Sequence, residues 1–180
     1  MMFKKTLIAA AMFTLGGFAA TASAVTATGT FKVQMTILKS CAITTTAAST
    51  IQLGAVAGVA STATNTNSSG VISVNCSKTT PYSVGLLPTA ANGGDANGNG
   101  NMISTTAPAT NTDKVPYTLY QNAALSTVWG NTAGTNTLTA ANGLVVGTGA
   151  ATNYTVYAQA PSANFTPDSY ADNVAVNVIY

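Results

Sequence analysis

Residues 29–38 have the sequence Gly29-Thr30-Phe31-Lys32-Val33-Gln34-Met35-Thr36-Ile37-Leu38. Apolar side chains occupy every second position from Phe31 to Ile37, and polar side chains occupy the positions between them. Because successive side chains of a β-strand point to opposite faces, this alternation predicts a strand with one apolar face. Such a strand is either the first strand of a complete sandwich or an exposed strand that joins the sheet of another chain.

The last nine residues are Asp172-Asn173-Val174-Ala175-Val176-Asn177-Val178-Ile179-Tyr180, a second alternating run in which Val174, Val176, Val178 and Tyr180 share one face. Further short runs predict strands at residues 41–46, 51–53, 70–76, 82–87, 115–121, 144–146 and 154–159. Turn residues separate these runs, and no long segment has the 3.6-residue period of a helix. The pattern therefore predicts an all-β sandwich.

The N-terminus has the pattern of a secretory signal peptide. Lys4 and Lys5 precede an apolar stretch from Leu7 to about Ala20, and small residues follow at 22–24. The apolar stretch is shorter than the ~20 residues that a membrane span requires. We therefore predict a leader of residues 1–24, a mature chain that starts near Val25, and export from the cytoplasm.

The charged residues are few and of two types only. The chain has six Lys and four Asp, and it has no Arg, Glu or His. This composition argues against a catalytic triad, an imidazole metal site and an arginine clamp for phosphate. It also argues against nucleic-acid binding, which needs clustered positive charge. We therefore expect a non-enzymatic protein without catalytic residues, metal, cofactor or small-molecule substrate.

The expected mature chain is electrically balanced, because removal of the leader leaves four Lys and four Asp. A neutral surface provides little self-repulsion, which suits a protein that assembles. Cys41 and Cys76 both lie in the exported part, where an oxidising compartment favours one disulfide between them. The loop that it closes is about 35 residues long, which corresponds to about 3–4 kcal/mol in the chain-entropy model.

A Gly- and Asn-rich segment from Ala91 to Asn101 contains three Asn-Gly dipeptides, which favour turns. Within it, the spacing of Asp95, Asn97, Asn99 and Gly100 resembles the start of a calcium-binding loop. Position 12 of such a loop would be Thr106 instead of a bidentate Glu. A hairpin or exposed loop is therefore the preferred interpretation, and calcium binding is the alternative.

Several motifs in order along the chain resemble those of spore coat protein U domain pilins, and in particular those of the major subunit of Csu-type pili, which the archaic chaperone–usher pathway assembles. The C-terminal run from Tyr170 to Tyr180 and the central run from Tyr117 to Ala123 with Trp129-Gly130 carry this resemblance. The first half contributes three shorter motifs: Cys41-Ala42-Ile43, Ile51-Gln52-Leu53-Gly54 and Val74-Asn75-Cys76. Ser169 and Asn101 stand where the family often has Gly and Arg, and neither change touches the alternating strands.

This resemblance implies an immunoglobulin-like sandwich that lacks its final strand and is completed by a strand from a neighbouring subunit. Residues 25–39 would be a donor extension and residues 40–180 the pilin domain. The donor side chains would be Phe31, Val33, Met35 and Ile37. Val174, Val176 and Val178 would line the acceptor groove, with Tyr180 near the anchoring site of a chaperone.

The resemblance also implies partners and a location. A periplasmic chaperone would fill the groove first, and at an outer-membrane usher the extension of an identical or related subunit would replace it. The product would be an extracellular fimbria that supports adhesion and biofilm formation. A single domain with a donor extension favours a shaft or minor linking subunit over a tip adhesin.

Two other functions are compatible with parts of the sequence. A self-contained secreted binding module, for example for carbohydrate, would use six aromatic residues: Tyr82, Tyr117, Tyr120, Trp129, Tyr154 and Tyr157. An enzyme would depend on the four aspartates, Asp95, Asp113, Asp168 and Asp172. Asp168 and Asp172 lie where a loop enters the last strand, so a turn or strand-entry role is the simpler explanation.

Overall fold

The structure, a computed structural model, describes residues 25–44, 50–57, 66–140 and 143–180. The expected leader of residues 1–24 lies outside these ranges, as do residues 45–46 of one predicted strand. The chain divides into two units, of which the first ends at Thr36 and the second comprises Ile37–Tyr180. No helix in the described ranges is long and apolar enough to cross a membrane.

The second unit is built from antiparallel β-strands, and Ala90–Asn92 form a short 3₁₀ turn. The strands are β1 (Cys41–Thr44), β2 (Thr66–Cys76), β3 (Pro81–Pro88), β4 (Asn99–Ser104), β5 (Lys114–Tyr120), β6 (Val145–Val146), β7 (Ala151–Ala160), β8 (Tyr170–Ala171) and β9 (Val174–Ile179). Six strands form one sheet in the order β1-β2-β7-β5-β4-β8, and three form a second sheet in the order β6-β3-β9. The predicted all-β class is confirmed.

The core lies between the two sheets, and both contribute to it. Its buried members include Ile72, Val74, Tyr82, Val84, Leu86, Tyr117, Leu119, Trp129 and Val156. Trp129 is completely buried, and its indole N–H donates a hydrogen bond of 2.8 Å to the backbone oxygen of Val84. A buried indole needs such a partner, and this one joins the loop after β5 to the central strand of the smaller sheet.

Alternation along the strands decides which side chains enter the core. In β2 the buried residues are Gly70, Ile72, Val74 and Cys76, while Asn75 between the last two is exposed. Cys76 is paired with Cys41 in the β1–β2 register, and the expected disulfide joins the two. It fixes the short strand β1 to the edge of the six-stranded sheet.

Three sequence predictions differ from the structure. Residues 29–38 and 51–53 form no strand, although Ile51 and Leu53 are partly buried against the core. The predicted loop at residues 91–101 ends early, because β4 begins at Asn99 and pairs with β5. Gly100 is what permits this pairing, since a Cβ there would collide with the ring of Tyr117. Because Asn-Gly dipeptides favour turns, the sequence did not predict that Gly100 lies in a strand.

We predict that Gly98→Ala destabilises the domain by about 2–4 kcal/mol, measured by chemical denaturation. Gly98 has a φ of +80°, and a Cβ there would collide with the backbone oxygen of Trp129. Gly134→Ala is the matched control, because Gly134 has a φ of +73° and a Cβ there would meet no neighbouring residue within 4 Å. It should cost only the backbone term of about 1–2 kcal/mol. Equal losses for the two variants would contradict a steric role for Gly98.

Candidate functional site

The last eleven residues pass from one sheet to the other. β8 pairs with β4 in the six-stranded sheet, and β9 pairs with β3 in the smaller sheet. Asp172 lies in the crossover, where its carboxylate accepts hydrogen bonds from the hydroxyl of Tyr117 and the side-chain amide of Asn92, both at 2.7 Å. The Thr89 hydroxyl donates to the backbone oxygen of Asn173 at 2.7 Å. These bonds fix the point at which β9 begins.

The Tyr117 hydroxyl remains a donor over the ordinary pH range. Burial raises the pKa of Tyr117 well above its usual value, and the hydrogen bond to Asp172 with its negative charge raises it further. The protonated phenol therefore connects the buried core to the crossover residue.

Strand β9 is an edge strand. Within the described residues it pairs with β3 alone, in a register that runs from Ser83 opposite Ile179 to Pro88 opposite Val174. Its other edge therefore presents backbone N–H and C=O groups without a strand partner, which makes it a template for a further strand.

The inward side chains of β9 are less buried than those of the central strands. Val174, Val176 and Val178 pack against the core but are only half-buried. By contrast, Ile72 is 4% exposed and Leu119 is 2% exposed. The core is thus closed over the central strands and incomplete beside β9.

A cavity of about 490 Å³ lies beside β9, between the two sheets. Its apolar lining includes Ile51, Ile72, Leu86, Leu119, Val174 and Val176. Asp172 and the neighbouring crossover residues line one part of it. We call the cavity together with the unpaired edge of β9 the β9 groove.

The predicted acceptor residues occupy different places in this geometry. Val174 and Val176 line the cavity, whereas Val178 packs against the core outside its lining. Tyr180 follows the end of β9 and is 59% exposed. Sequence reasoning did not assign the crossover residues or segment 50–53 to this site, because their proximity depends on the packing of the two sheets.

The predicted donor residues lie on a segment without regular secondary structure. The exposed fractions of their side chains are 88% for Phe31, 83% for Val33, 80% for Met35 and 78% for Ile37. A row of large apolar side chains at this exposure is unfavourable in water, so the segment is suited to burial against another surface.

The candidate calcium loop is closed by its own hydrogen bonds. The Asp95 carboxylate accepts from the backbone N–H groups of Asn97 and Asn99, at 2.8 and 3.0 Å, and from the Asn99 amide. Burial raises the pKa of Asp95, but the hydrogen bonds from Asn99 and Asn97 outweigh it and leave a net lowering. The described part of the chain has no cluster of three metal-ligating side chains. These contacts support a structural turn.

The other two aspartates also hold loops in place. Asp168 accepts hydrogen bonds from the Ser104 hydroxyl at 2.6 Å, the Asn111 amide at 2.9 Å and the Thr106 hydroxyl. Asp113 accepts one from the backbone N–H of Thr166 at 2.8 Å. Each carboxylate is thus engaged with its own chain, and for Asp168 this agrees with the turn role that the sequence suggested.

The aromatic residues considered for a binding surface contribute mainly to the core. Trp129, Tyr82 and Tyr117 are buried, and Tyr120, Tyr154 and Tyr157 are partly buried. The hydroxyls of Tyr82 and Tyr154 lie 2.6 Å apart in a hydrogen bond across the sandwich. None of the six is an exposed flat ring of the kind on which a sugar stacks.

Comparisons with known proteins agree with this architecture. The family model of the Spore Coat Protein U domain matches residues 27–177. In fold, the chain is similar to one chain of a crystal structure of the CsuC–CsuE chaperone–tip adhesion subunit pre-assembly complex, from archaic chaperone–usher Csu pili of Acinetobacter baumannii. That match has a TM-score of 0.52 and 20% identity, and it covers 81% of this chain and 40% of the other. No curated protein matches the sequence significantly.

The hydrogen bonds of Asp168 predict acid sensitivity. Those from Ser104, Thr106 and Asn111 hold the pKa of Asp168 far below its usual range. A lowered folded-state pKa gives stability that is fully present above the unfolded value, ~3.9, and is lost as pH falls. We therefore expect the melting temperature to fall below about pH 4, and to fall less steeply in Asp168→Asn.

Asp113→Asn is the comparison variant for this experiment. The pKa of Asp113 is also lowered, but by hydrogen bonding from Thr166 alone. Its replacement should flatten the acid decline less than that of Asp168. Identical pH profiles for wild type and Asp168→Asn would show that this carboxylate does not contribute to acid sensitivity.

Proposed function

The chain belongs to the Spore Coat Protein U domain family, and we propose that it is a structural subunit of an extracellular chaperone–usher pilus. In this proposal the subunits polymerise by strand donation, in which the extension of one copy fills the β9 groove of the next. The fibre would support adhesion and biofilm formation. Residues 1–24 would be the signal peptide, residues 25–39 the donor extension and residues 40–180 the pilin domain.

One observation carries the proposal: the described residues contain both an unfilled groove and an exposed segment with alternating apolar side chains. The groove has an edge strand and half-buried valines beside an apolar cavity. The segment has four large apolar side chains at alternate positions, each more than three-quarters exposed. An extended strand that pairs with β9 places such alternate side chains on the cavity side.

The energetics favour a tight joint. Full burial of the four donor side chains contributes about 6–12 kcal/mol before opposing terms. Each new strand hydrogen bond adds about 0.5–1.5 kcal/mol. Ordering of the extension and restriction of the two subunits remove several kcal/mol. The remainder favours association, and it also implies that a subunit with an empty groove self-associates or needs a chaperone.

The proposed partners follow from the groove. A periplasmic chaperone would occupy it with its own strand, and the Tyr180 carboxylate would lie near the anchoring site. At an outer-membrane usher, the extension of an identical or related subunit would replace the chaperone strand. The donor extension favours a shaft or minor linking position in the fibre.

We predict that Met35→Asp abolishes polymerisation of the exported chain, because a carboxylate cannot be buried unpaired in an apolar groove. Gln34→Asp is the matched control, since it adds the same charge one residue away on the opposite face. Polymers are scored on gels without boiling and by electron microscopy. Polymers of normal length from the Met35→Asp chain would contradict the proposal.

The acceptor groove can be tested in the same non-polymerising chain. The Met35→Asp subunit keeps its own groove, so a synthetic peptide of residues 29–38 should raise its melting temperature markedly. The same peptide with Ile37→Asp should not. A stable Met35→Asp monomer that ignores the wild-type peptide would indicate a complete sandwich and would favour a self-contained secreted module.

A further inference from the structure

We propose that Met35 and Met102 are oxidation sites, at which a peroxide converts the thioether to a sulfoxide and thereby prevents two subunits from joining. The inference rests on the proposed function and adds a means of regulating it. A subunit with an unfilled groove is open to this modification, whereas a subunit within a polymer is protected from it.

The methionines of the predicted mature chain belong to the two halves of the joint. The chain has five methionines, of which Met1, Met2 and Met12 lie in the predicted leader. Met35 is a member of the apolar row of the extension. Met102 lies in β4 and lines the cavity of the β9 groove. Oxidation of either residue therefore changes a surface through which subunits are proposed to join.

Met35 is accessible to an oxidant before assembly. Its side chain is 80% exposed and lies on a segment without regular secondary structure. Exposed methionine is a common site of oxidation to the sulfoxide. The sulfur atoms of Cys41 and Cys76 are already joined in a disulfide, so they do not compete as thiols. The oxidant sensitivity of residues 25–180 is thus concentrated in the two thioethers.

Met102 is accessible through the groove. It is half-buried and packs against the core from β4, where it is paired with Val115 of β5. The cavity that it lines has a volume of about 490 Å³, which admits a molecule as small as hydrogen peroxide. A strand donated into the groove would cover this part of the lining and close the route to the sulfur atom.

The modification is a two-electron oxidation of sulfur. With hydrogen peroxide, the thioether sulfur takes up one oxygen atom, the O–O bond breaks and one molecule of water is released. The sulfur loses two electrons and the peroxide gains them, so the reaction needs no further co-reactant. It converts a flexible apolar side chain into a polar, chiral one.

A sulfoxide at position 35 is unfavourable inside the groove. Met35 is an inner member of its row, with Val33 before it and Ile37 after it, so its side chain would be buried with theirs. The sulfoxide oxygen needs a hydrogen-bond donor, which an apolar lining does not provide. The hydroxyl of Tyr117, a donor in the lining, is already engaged with Asp172. Oxidation therefore weakens the joint.

Peptide binding tests the donor half of the joint. The Met35→Asp chain, which keeps its own groove, is titrated with synthetic peptides of residues 29–38 in a calorimeter. We expect the peptide with Met35 as the sulfoxide to bind about 5- to 150-fold more weakly than the unmodified peptide, which corresponds to about 1–3 kcal/mol. The matched control is a Met35→Leu peptide after treatment with peroxide, which should bind like the unmodified peptide.

Oxidation of assembled polymers tests the protection of Met35. Wild-type polymers, and the same polymers dissociated in denaturant, are treated with hydrogen peroxide, and the sulfoxide is measured by mass spectrometry. Cleavage after lysine separates the two sites, because Met35 lies in residues 33–39 and Met102 in residues 79–114. We expect Met35 to be oxidised about tenfold more slowly in the polymers, since the joint must open before the peroxide reaches it.

The groove half is tested in the Met35→Asp chain, where Met102 is the one methionine that follows the predicted leader. We expect bound Met35→Leu peptide of residues 29–38 to slow the oxidation of Met102 by about fivefold or more. The same peptide with Ile37→Asp in addition is the matched control and should give no protection. Equal oxidation rates with and without the bound Met35→Leu peptide would overturn the assignment of Met102.

The remaining results separate the inference from the proposed function. Equal affinities of the sulfoxide and unmodified peptides, or equal oxidation of Met35 in polymers and dissociated subunits, overturn the inference while strand donation stands. Loss of binding by the peroxide-treated Met35→Leu peptide also overturns it, because the loss then has a cause other than the sulfoxide. Failure of the unmodified peptide to bind, together with the absence of wild-type polymers, contradicts the proposed function itself.

Discussion

Among the described residues, strand β9 is hydrogen-bonded to a neighbouring strand on one side only. The other features of the site depend on this one-sided pairing. Its partner β3 is the central strand of the smaller sheet and is buried over most of its length. On the other side of β9, in the part of the chain that the structure describes, an apolar cavity takes the place of a further strand. The core is therefore dense around Trp129 and open beside Val174 and Val176.

Polar interactions define the end of this opening. The crossover at Asp172 is held by Tyr117, Asn92 and Thr89, which come from the six-stranded sheet and from the segment after β3. The start of β9 is therefore rigid, whereas Tyr180 at its other end is largely exposed. The two ends of the groove therefore differ. One end is polar and held by hydrogen bonds, and the other is aromatic and exposed.

The scarcity of charge has a related consequence. A chain with ten charged residues has few charges with which to fix the positions of its loops and strands. Each of its four aspartates is engaged in a specific contact. Asp95, Asp113 and Asp168 stabilise loops through hydrogen bonds from their own chain. Asp172 does the same and additionally lies in the lining of the groove, which distinguishes it from the other three.

The sequence alone determined which residues alternate, and hence the all-β class and the apolar row from Phe31 to Ile37, and its two cysteines indicated the disulfide. These features depend on the local geometry of a strand and on the chemistry of cysteine, and neither requires knowledge of the tertiary structure. It could not determine that Gly100 permits a strand, because the reason is the ring of Tyr117 packed against it. Nor could it place Asp172 between the sheets beside Tyr117, 55 positions away in sequence. The tertiary structure decided these points, because the edge position of β9 and the cavity beside it arise from which strands pair, and strand pairing is a long-range property of the whole chain.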